Sequence, residues 1–455
     1  MDIFIQVSQF LLSLTLLVFL HELGHFAAAK FFKVRVSKFY VFFDFLFPLP
    51  NVLNFSIFKK KVGDTEYGLG WFPLGGYVQI DGMVDESMDT EKLKEPPKPW
   101  EFRAKPAWQR LIIMIGGVTV NLLLAMVIYA VMLMVWGEQY LPMKNATNGV
   151  MVTDSLTYEL GIQDGDKILS INNEPIHDFN SFSRILLIEN AKTIEINRKG
   201  KDTVLAVPDL FVSKVISERS RSKSLQLITP RFPVSVEALM PGSNAEKGGL
   251  QQGDRVVGVN STSTVFFDEL TRALGENKNQ EVQLQIVRDG ENQTLTVEVD
   301  ENGKIGFAPN TDLSKYYQVV TTEYSFFAAI PAGVKLAIRT LDGYIKQLKL
   351  LFNGTAKVSE SLGGFGTIAN AFDSTWNWYS FWSMTALISI ILAFMNMLPI
   401  PALDGGHVMF LIYEMIFRKP PPLKFMEYAQ MIGMAILLFL MLYANGLDIF
   451  RGFFK

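Results

Sequence analysis

The chain contains no cysteine. Disulfides, thiolate metal sites and a cysteine nucleophile are therefore excluded. Histidine is scarce too. Four occur in 455 residues (His21, His25, His177 and His407), and two of them share one pentapeptide. Charge is thin, with 19% charged against 49% apolar residues and a formal net charge of −3. Without a basic stripe to neutralise phosphates, no nucleic-acid partner is expected. The apolar share exceeds that of an ordinary soluble enzyme, yet the chain is too polar to consist of membrane spans alone. The composition predicts a multi-span α-helical membrane protein with water-facing domains.

Crossing a bilayer takes about 20 apolar residues. Four stretches qualify: 1–32, 107–137, 376–407 and 429–446. The second includes the uncharged "LIIMIGGVTVNLLLAMVIYAVMLMVW". The third opens on Trp and Tyr, as an interfacial belt does. The leader "MDIFIQVSQ" carries Asp2 and no Lys or Arg, so it lacks the basic start of a cleaved signal peptide. Lys30, Lys33, Arg35, Lys38 and Lys59 to Lys61 follow the first span, and Lys105 and Arg110 precede the second. By the positive-inside rule 33–106 is cytoplasmic, and the N-terminus and 137–375 lie outside. Arg418, Lys419 and Lys424 agree; Arg451 and Lys455 do not.

The outer segment repeats itself. "GIQDGDKILSIN" at 161–172 matches "GLQQGDRVVGVN" at 249–260, with Gly161, Gln163, Gly165, Asp166 and Asn172 recurring as Gly249, Gln251, Gly253, Asp254 and Asn260. Each copy continues with a helix-like run and then alternating strands joined by "KG" or "DG" turns. Two copies of one α+β module follow, at 146–207 and 231–299. A tight Gly-Asp turn ahead of an apolar strand resembles a PDZ domain, a module that takes up extended peptide ends by strand addition. A spacer or steric gate with an empty groove is the other reading. Segment 326–352 has apolar residues at helical spacing with Lys and Arg between them, predicting an amphipathic helix on the membrane face or under the second module. The charged, Pro-rich 84–102 reads as a loop.

"HELGH" at 21–25 lies inside the first apolar run. Ionisable groups within a span are costly and usually functional. Residues four apart share one helix face, so His21 and His25 can address one ion, with Glu22 about 100° away. Zinc hydrolases use that arrangement, with the Glu as general base toward an activated water. A third ligand is needed. Asp404, in "NMLPIPALDGGH" at 396–407, is the candidate, because Pro399 and Pro401 break the helix there and a carboxylate at that depth needs a partner. His407 competes, but fits better as a supporting or interfacial residue. Within 34–80, "VRVSKFYVFFDFLF" and "EYGLGWFPLGGYVQI" read as aromatic, β-branched strands. An edge strand there could hold an unwound substrate, with Asn121 and Asn396 donating hydrogen bonds to it.

"HELGH", "FPLGGYV" at 72–78, "NMLPIPALDGG" and the repeated module together resemble the site-2 proteases, over essentially the whole chain. Four spans with two PDZ modules between the second and third match the regulator of sigma-E protease type. The resemblance implies a zinc metalloendopeptidase of the bacterial inner membrane, with Zn2+ on His21, His25 and Asp404 and Glu22 as base. The N-terminus and PDZ modules would face outward and the active site the cytoplasmic side. It implies substrates that are single-span membrane proteins, such as anti-sigma factors, cut within the bilayer. Two departures stand out. Val118 and Phe365 take positions where the family usually has Pro, with Gly117 and Asn121 kept. The alternative is a non-catalytic, membrane-anchored PDZ receptor with a structural metal site. Glu22 tells against it, since a structural site needs no base.

Overall fold

A computed structural model describes residues 2–46, 52–73, 75–83, 96–189, 191–219, 226–353 and 362–453. Most of the expected 84–102 loop lies outside the described residues. The chain forms two compact units, one of residues 1–137, 323–349 and 361–455, the other of 138–322 and 350–360.

The first unit is helical, with one sheet. Among the described residues, four helices are long and apolar enough to cross a membrane: Ile3–Phe31, Ala107–Trp136, Trp378–Met397 and Leu423–Gly452. In hydrocarbon a helix is favoured because it satisfies its backbone internally. Helix α1 is Asp2–Phe31 and α2 is Ala107–Trp136, stopped by Gly137 at φ 69°. The amphipathic α3, Phe326–Phe352, does not lie free on a surface. Gly333 lets it close on α2, since a Cβ there would lie 2.5 Å from the Ala130 nitrogen. Ala337 is buried in a cluster with Ala125, Ile128 and Tyr129 of α2 and with Ala386 and Ile390. The last two belong to α5, below. The short α4, Phe365–Ala369, holds Phe365 6.1 Å from the Phe10 ring of α1.

Helix α5, Trp378–Met397, begins where the Asn377 side chain accepts from the Tyr379 and Ser380 amides. The helix ends ahead of Pro399 and Pro401, and the stretch from 398 to 403 that leads to the Asp404 motif is not helical. The chain turns extended at Leu398, takes Ala402 through φ 84°, and starts a new helix, α6, at Asp404 (Asp404–Phe417). Pro399 and Pro401 cannot continue the helix. Gly405 and Gly406 then let α6 start tight against the end of α5. A Cβ on Gly405 would lie 2.2 Å from the Leu398 carbonyl oxygen, and one on Gly406 2.7 Å from that of Ile400. Arg110 of α2 pairs with Glu414 of α6, and Leu411 packs in one cluster with Ile113 and Met114. Helix α7, Leu423–Phe453, is longer than the 429–446 expected.

The sheet after α1 has the order β2-β3-β1-β4, with β1 Val36–Tyr40, β2 Ser56–Val62, β3 Thr65–Gly70 and β4 Tyr77–Ile80. Phe39 of β1 packs edge-on against Phe19 and Phe26 of α1, with ring centroids 5.8 and 5.3 Å apart. That contact fixes the sheet beside the helix that carries HELGH. β4 lies at the sheet's edge.

In the second unit the sequence repeat is a structural repeat. Strands 201–206, 193–198, 167–171 and 174–175 are neighbours in that order, as are 291–298, 281–288, 255–259 and 262–263. Each copy holds two helices at matching chain positions, Ser155–Glu159 and Ser181–Ile188 in the first, Asn244–Lys247 and Phe267–Glu276 in the second. Asp166 accepts from the Gln163 amide and from Arg198, whose Nη2 also donates to the Gly161 carbonyl. Asp254 does the same with Gln251, Arg288 and Gly249. Asn172 and Asn260 both take φ near 50° and each caps a neighbouring strand through Oδ1. The repeated residues are thus the ones that hold the same buried turn twice.

Burial opposes ionisation of Asp254. The Arg288 and Gln251 hydrogen bonds outweigh it and hold its carboxyl below the usual range. The ionised form is favoured in the fold, so its stabilisation is present above the unfolded carboxyl pKa and is lost as pH falls through the lower folded value. Asp254→Ala should lower the unfolding temperature of the second module by on the order of 5–10 °C. In a thermal scan of purified 138–322, the gap between wild type and variant should close below about pH 4.

Candidate metal centre

His21 and His25 lie one helical turn apart on α1, both buried. Their Nε2 atoms are 3.2 Å apart, and each is 3.2 Å from Asp404 Oδ2 at the start of α6. Among the described residues, this trio is the group of His, Asp and Glu side chains that could hold a metal ion. In a tetrahedral zinc site, bonds of about 2.0–2.1 Å keep donors roughly 3.3–3.4 Å apart. The triangle has that size.

Its electronic character also fits. His25 Nδ1 donates to the Ile113 carbonyl at 2.8 Å, so the neutral ring presents Nε2 as a bare lone pair. Asp404 Oδ2 is buried without a hydrogen-bond donor. Two imidazole lone pairs and a carboxylate oxygen converging at contact distance repel one another unless a cation lies among them. Asn121 stands behind His21, with its amide 3.3 Å from Nδ1 and its Oδ1 buried without a partner. With the amide turned so that Oδ1 accepts from Nδ1–H, Oδ1 gains a partner and His21 Nε2 is also bare.

The helices approach closely enough for this because of glycine. A Cβ on Gly24 of α1 would lie 2.4 Å from the Gly116 carbonyl oxygen of α2. One on Gly117 would lie 2.5 Å from His25 Nε2 and 2.7 Å from His21 Cε1. The imidazoles thus pack against the bare backbone of α2. Ser389 of α5 donates to the Asn121 carbonyl at 2.7 Å, locking the third helix to the same level.

Glu22 faces the same cavity, of about 900 Å³, as His21, His25, Asn396, Asp404 and His407. Its carboxylate accepts from the Val78 amide of β4, so the sheet's edge strand runs beside it. Asn396 Nδ2 lies 3.4 Å from His21 Nε2. Asn121, buried against His21, and Asn396 both line the cavity. His407 lines the cavity one turn beyond Asp404 and is not in the trio. Gly24 and Gly116 are contributors that the sequence reading does not single out, and Gly117 enters it only through the family pattern. Small residues at matching depth in two spans were the available signal.

Four membrane-length helices, with an ion-sized His-His-Asp triangle and a carboxylate beside it, define a multi-pass membrane metalloprotease. The chain belongs to peptidase family M50, whose family model matches residues 9–440. It is 27% identical over 473 residues to the protease RseP of Yersinia pestis, covering 100% of this chain and 99% of that one. It is 26% identical over 462 residues to the regulator of sigma E protease of Haemophilus influenzae, covering 98% and 99%. A Treponema pallidum (strain Nichols) protein provisionally named a zinc metalloprotease is 27% identical over 458 residues, covering 96% and 97%.

Proposed function

We propose that this chain is a zinc endopeptidase that cuts single-span membrane proteins within their apolar segment. The observation that carries the reading is the His21–His25–Asp404 triangle with Glu22 beside it, built on helices of membrane-crossing length. His21, His25 and Asp404 hold the zinc. Zinc supplies Lewis acidity, polarising a carbonyl oxygen and acidifying water toward neutrality. Glu22 takes the proton and delivers it to the leaving amine. The Ile113 carbonyl and Asn121 orient the two imidazoles.

A peptide bond in a helix is shielded by its own hydrogen bonds, so the substrate must unwind, and unwound backbone in lipid needs new partners. The free edge of β4, already beside Glu22, supplies them by strand addition, and Asn396 donates to a substrate carbonyl. One relative is named regulator of sigma E protease, which favours anti-sigma factors as the substrate class. The Lys and Arg distribution supports an inner-membrane protein with the N-terminus and the two PDZ-like modules outside and the metal toward the cytoplasmic side. The modules either take peptide ends or gate access.

The test is to incubate the purified full-length protein in lipid nanodiscs with a panel of single-span reporters and locate any cut by mass spectrometry. Cuts within the apolar segment are expected. Cuts confined to the water-exposed flanks contradict the reading.

A further inference from the structure

The face of the β-sheet turned away from α1 carries a hydrogen-bonded chain that the proposed chemistry does not use. Lys38 Nζ approaches the Tyr77 hydroxyl at 3.5 Å, and that hydroxyl donates to Asp44 Oδ1 at 2.9 Å. The Tyr77 ring lies between two others. Tyr40 is parallel to within 13° at 5.3 Å, and Phe43 to within 11° at 6.0 Å. Tyr40 is itself held by a 2.7 Å bond to Glu66. Burial first, then the Asp44 charge, raises the Tyr77 hydroxyl far above the ordinary phenol range, so it stays protonated and able to donate.

The stack fixes the plane of the Tyr77 ring but leaves it free to slide within that plane. The hydroxyl contacts at its far end, with Phe45 tilted against it at 5.9 Å, oppose sliding. Gly76 lets the backbone just before Tyr77 come close, since a Cβ there would lie 2.5 Å from the Val41 carbonyl oxygen. The residue after Tyr77 is Val78, whose amide reaches Glu22. Tyr77 pairs with Tyr40 and Val78 with Phe39 in the β4–β1 ladder. A shift of Tyr77 is therefore a shift of the amide at the proposed base. Lys38, Asp44, Tyr77 and Val78 all line the cavity that holds Glu22 and Asp404.

We infer that Lys38, Tyr77 and Asp44 form a positioning relay that sets the register of the β4 edge against Glu22, and so the register in which an unwound substrate strand is held. The inference rests on the proposed proteolytic reading and deepens it. Lys38 donates to Tyr77, Tyr77 donates to Asp44, and the carboxylate is the fixed end of the chain. None of the three touches the reacting atoms. Their effect passes through one peptide unit to the amide of Val78. A displacement of about 1 Å at such a point can cost a hundredfold in a reaction that depends on alignment.

The experiment uses full-length protein in nanodiscs carrying Glu22→Gln, so that binding is measured without turnover. The probe is a synthetic apolar segment with a central Gly-Pro pair that breaks its helix. Adding Tyr77→Phe keeps the stacked ring and removes only the hydroxyl; the probe should bind about tenfold more weakly, with metal content and melting temperature unchanged. Asp44→Asn keeps an accepting oxygen and should stay within about twofold of the parent, whereas Asp44→Leu should match Tyr77→Phe. Tyr77→Phe binding within twofold of the parent overturns the relay. So does a loss accompanied by loss of metal or of fold, or a fall for Asp44→Asn as deep as for Tyr77→Phe. A parent that binds no probe overturns capture by β4 itself. Cleavage is measured separately with Glu22 intact. Failure to cut, with the binding contrasts as stated, sinks the proteolytic reading and leaves the relay standing.

Discussion

Glu22→Gln should abolish cleavage of single-span reporters while leaving the metal in place. The substitution conserves shape and the ability to accept from the Val78 amide, and removes only the capacity to take a proton. Positioned acid–base groups contribute about 10²- to 10⁴-fold, so turnover should fall by at least that range. Because Glu22 is outside the His21–His25–Asp404 triangle, zinc per chain should match wild type. Loss of zinc with loss of activity would make Glu22 a ligand. Unchanged activity would remove it from the chemistry. A receptor with a structural metal site predicts no cleavage from either protein.

Gly117→Ala should be nearly as damaging, though it adds one methyl group to a helix. The added carbon would lie 2.5 Å from His25 Nε2 and 2.7 Å from His21 Cε1, closer than real contacts allow. Withdrawal of α2 would open the close Gly24–Gly116 packing on the same face and break the Ser389–Asn121 bond. The imidazoles must therefore turn, breaking the His25–Ile113 bond and spreading the triangle. Disturbing such support typically costs 10- to 100-fold in metal affinity. Zinc retained after dialysis against graded chelator should show that drop. Since alanine has the better helix propensity, the variant's helix content should not fall, which separates damage to the site from unfolding.

These two residues show what the sequence made legible. HELGH was readable because helix periodicity is local: residues 21, 22 and 25 share a neighbourhood whatever the rest of the chain does. The two outer modules were readable because the same turn, with Gly-x-Gln-x-Gly-Asp and a later Asn, was written twice. Asp404 could be named because a carboxylate beside broken helix at membrane depth needs a partner. Its closeness to His21, 383 positions away, could not be read, because it depends on how α6 folds back at Gly405 and Gly406. Gly117 and Gly116 were seen as parts of an apolar run; their meaning lies in what they fail to cover on another helix. Strand β2 was missed because Lys59 to Lys61 read as topology signals, and an exposed edge strand has no buried face to impose alternation on its residues. Asp44 carries no local signal in the sequence. Its bond to Tyr77 depends on the sheet bringing β4 back beside β1.

The account stands or falls on one cation held by two imidazoles and one distant carboxylate. X-ray absorption at the zinc edge, on the purified full-length protein and on Asp404→Ala, tests this most directly. The wild type should hold one zinc per chain, with two imidazole nitrogens and oxygen donors at about 2.0–2.2 Å, and Asp404→Ala should lose most of its zinc. A wild type that binds no zinc, or an Asp404→Ala variant with full zinc content and an unchanged spectrum, would contradict it.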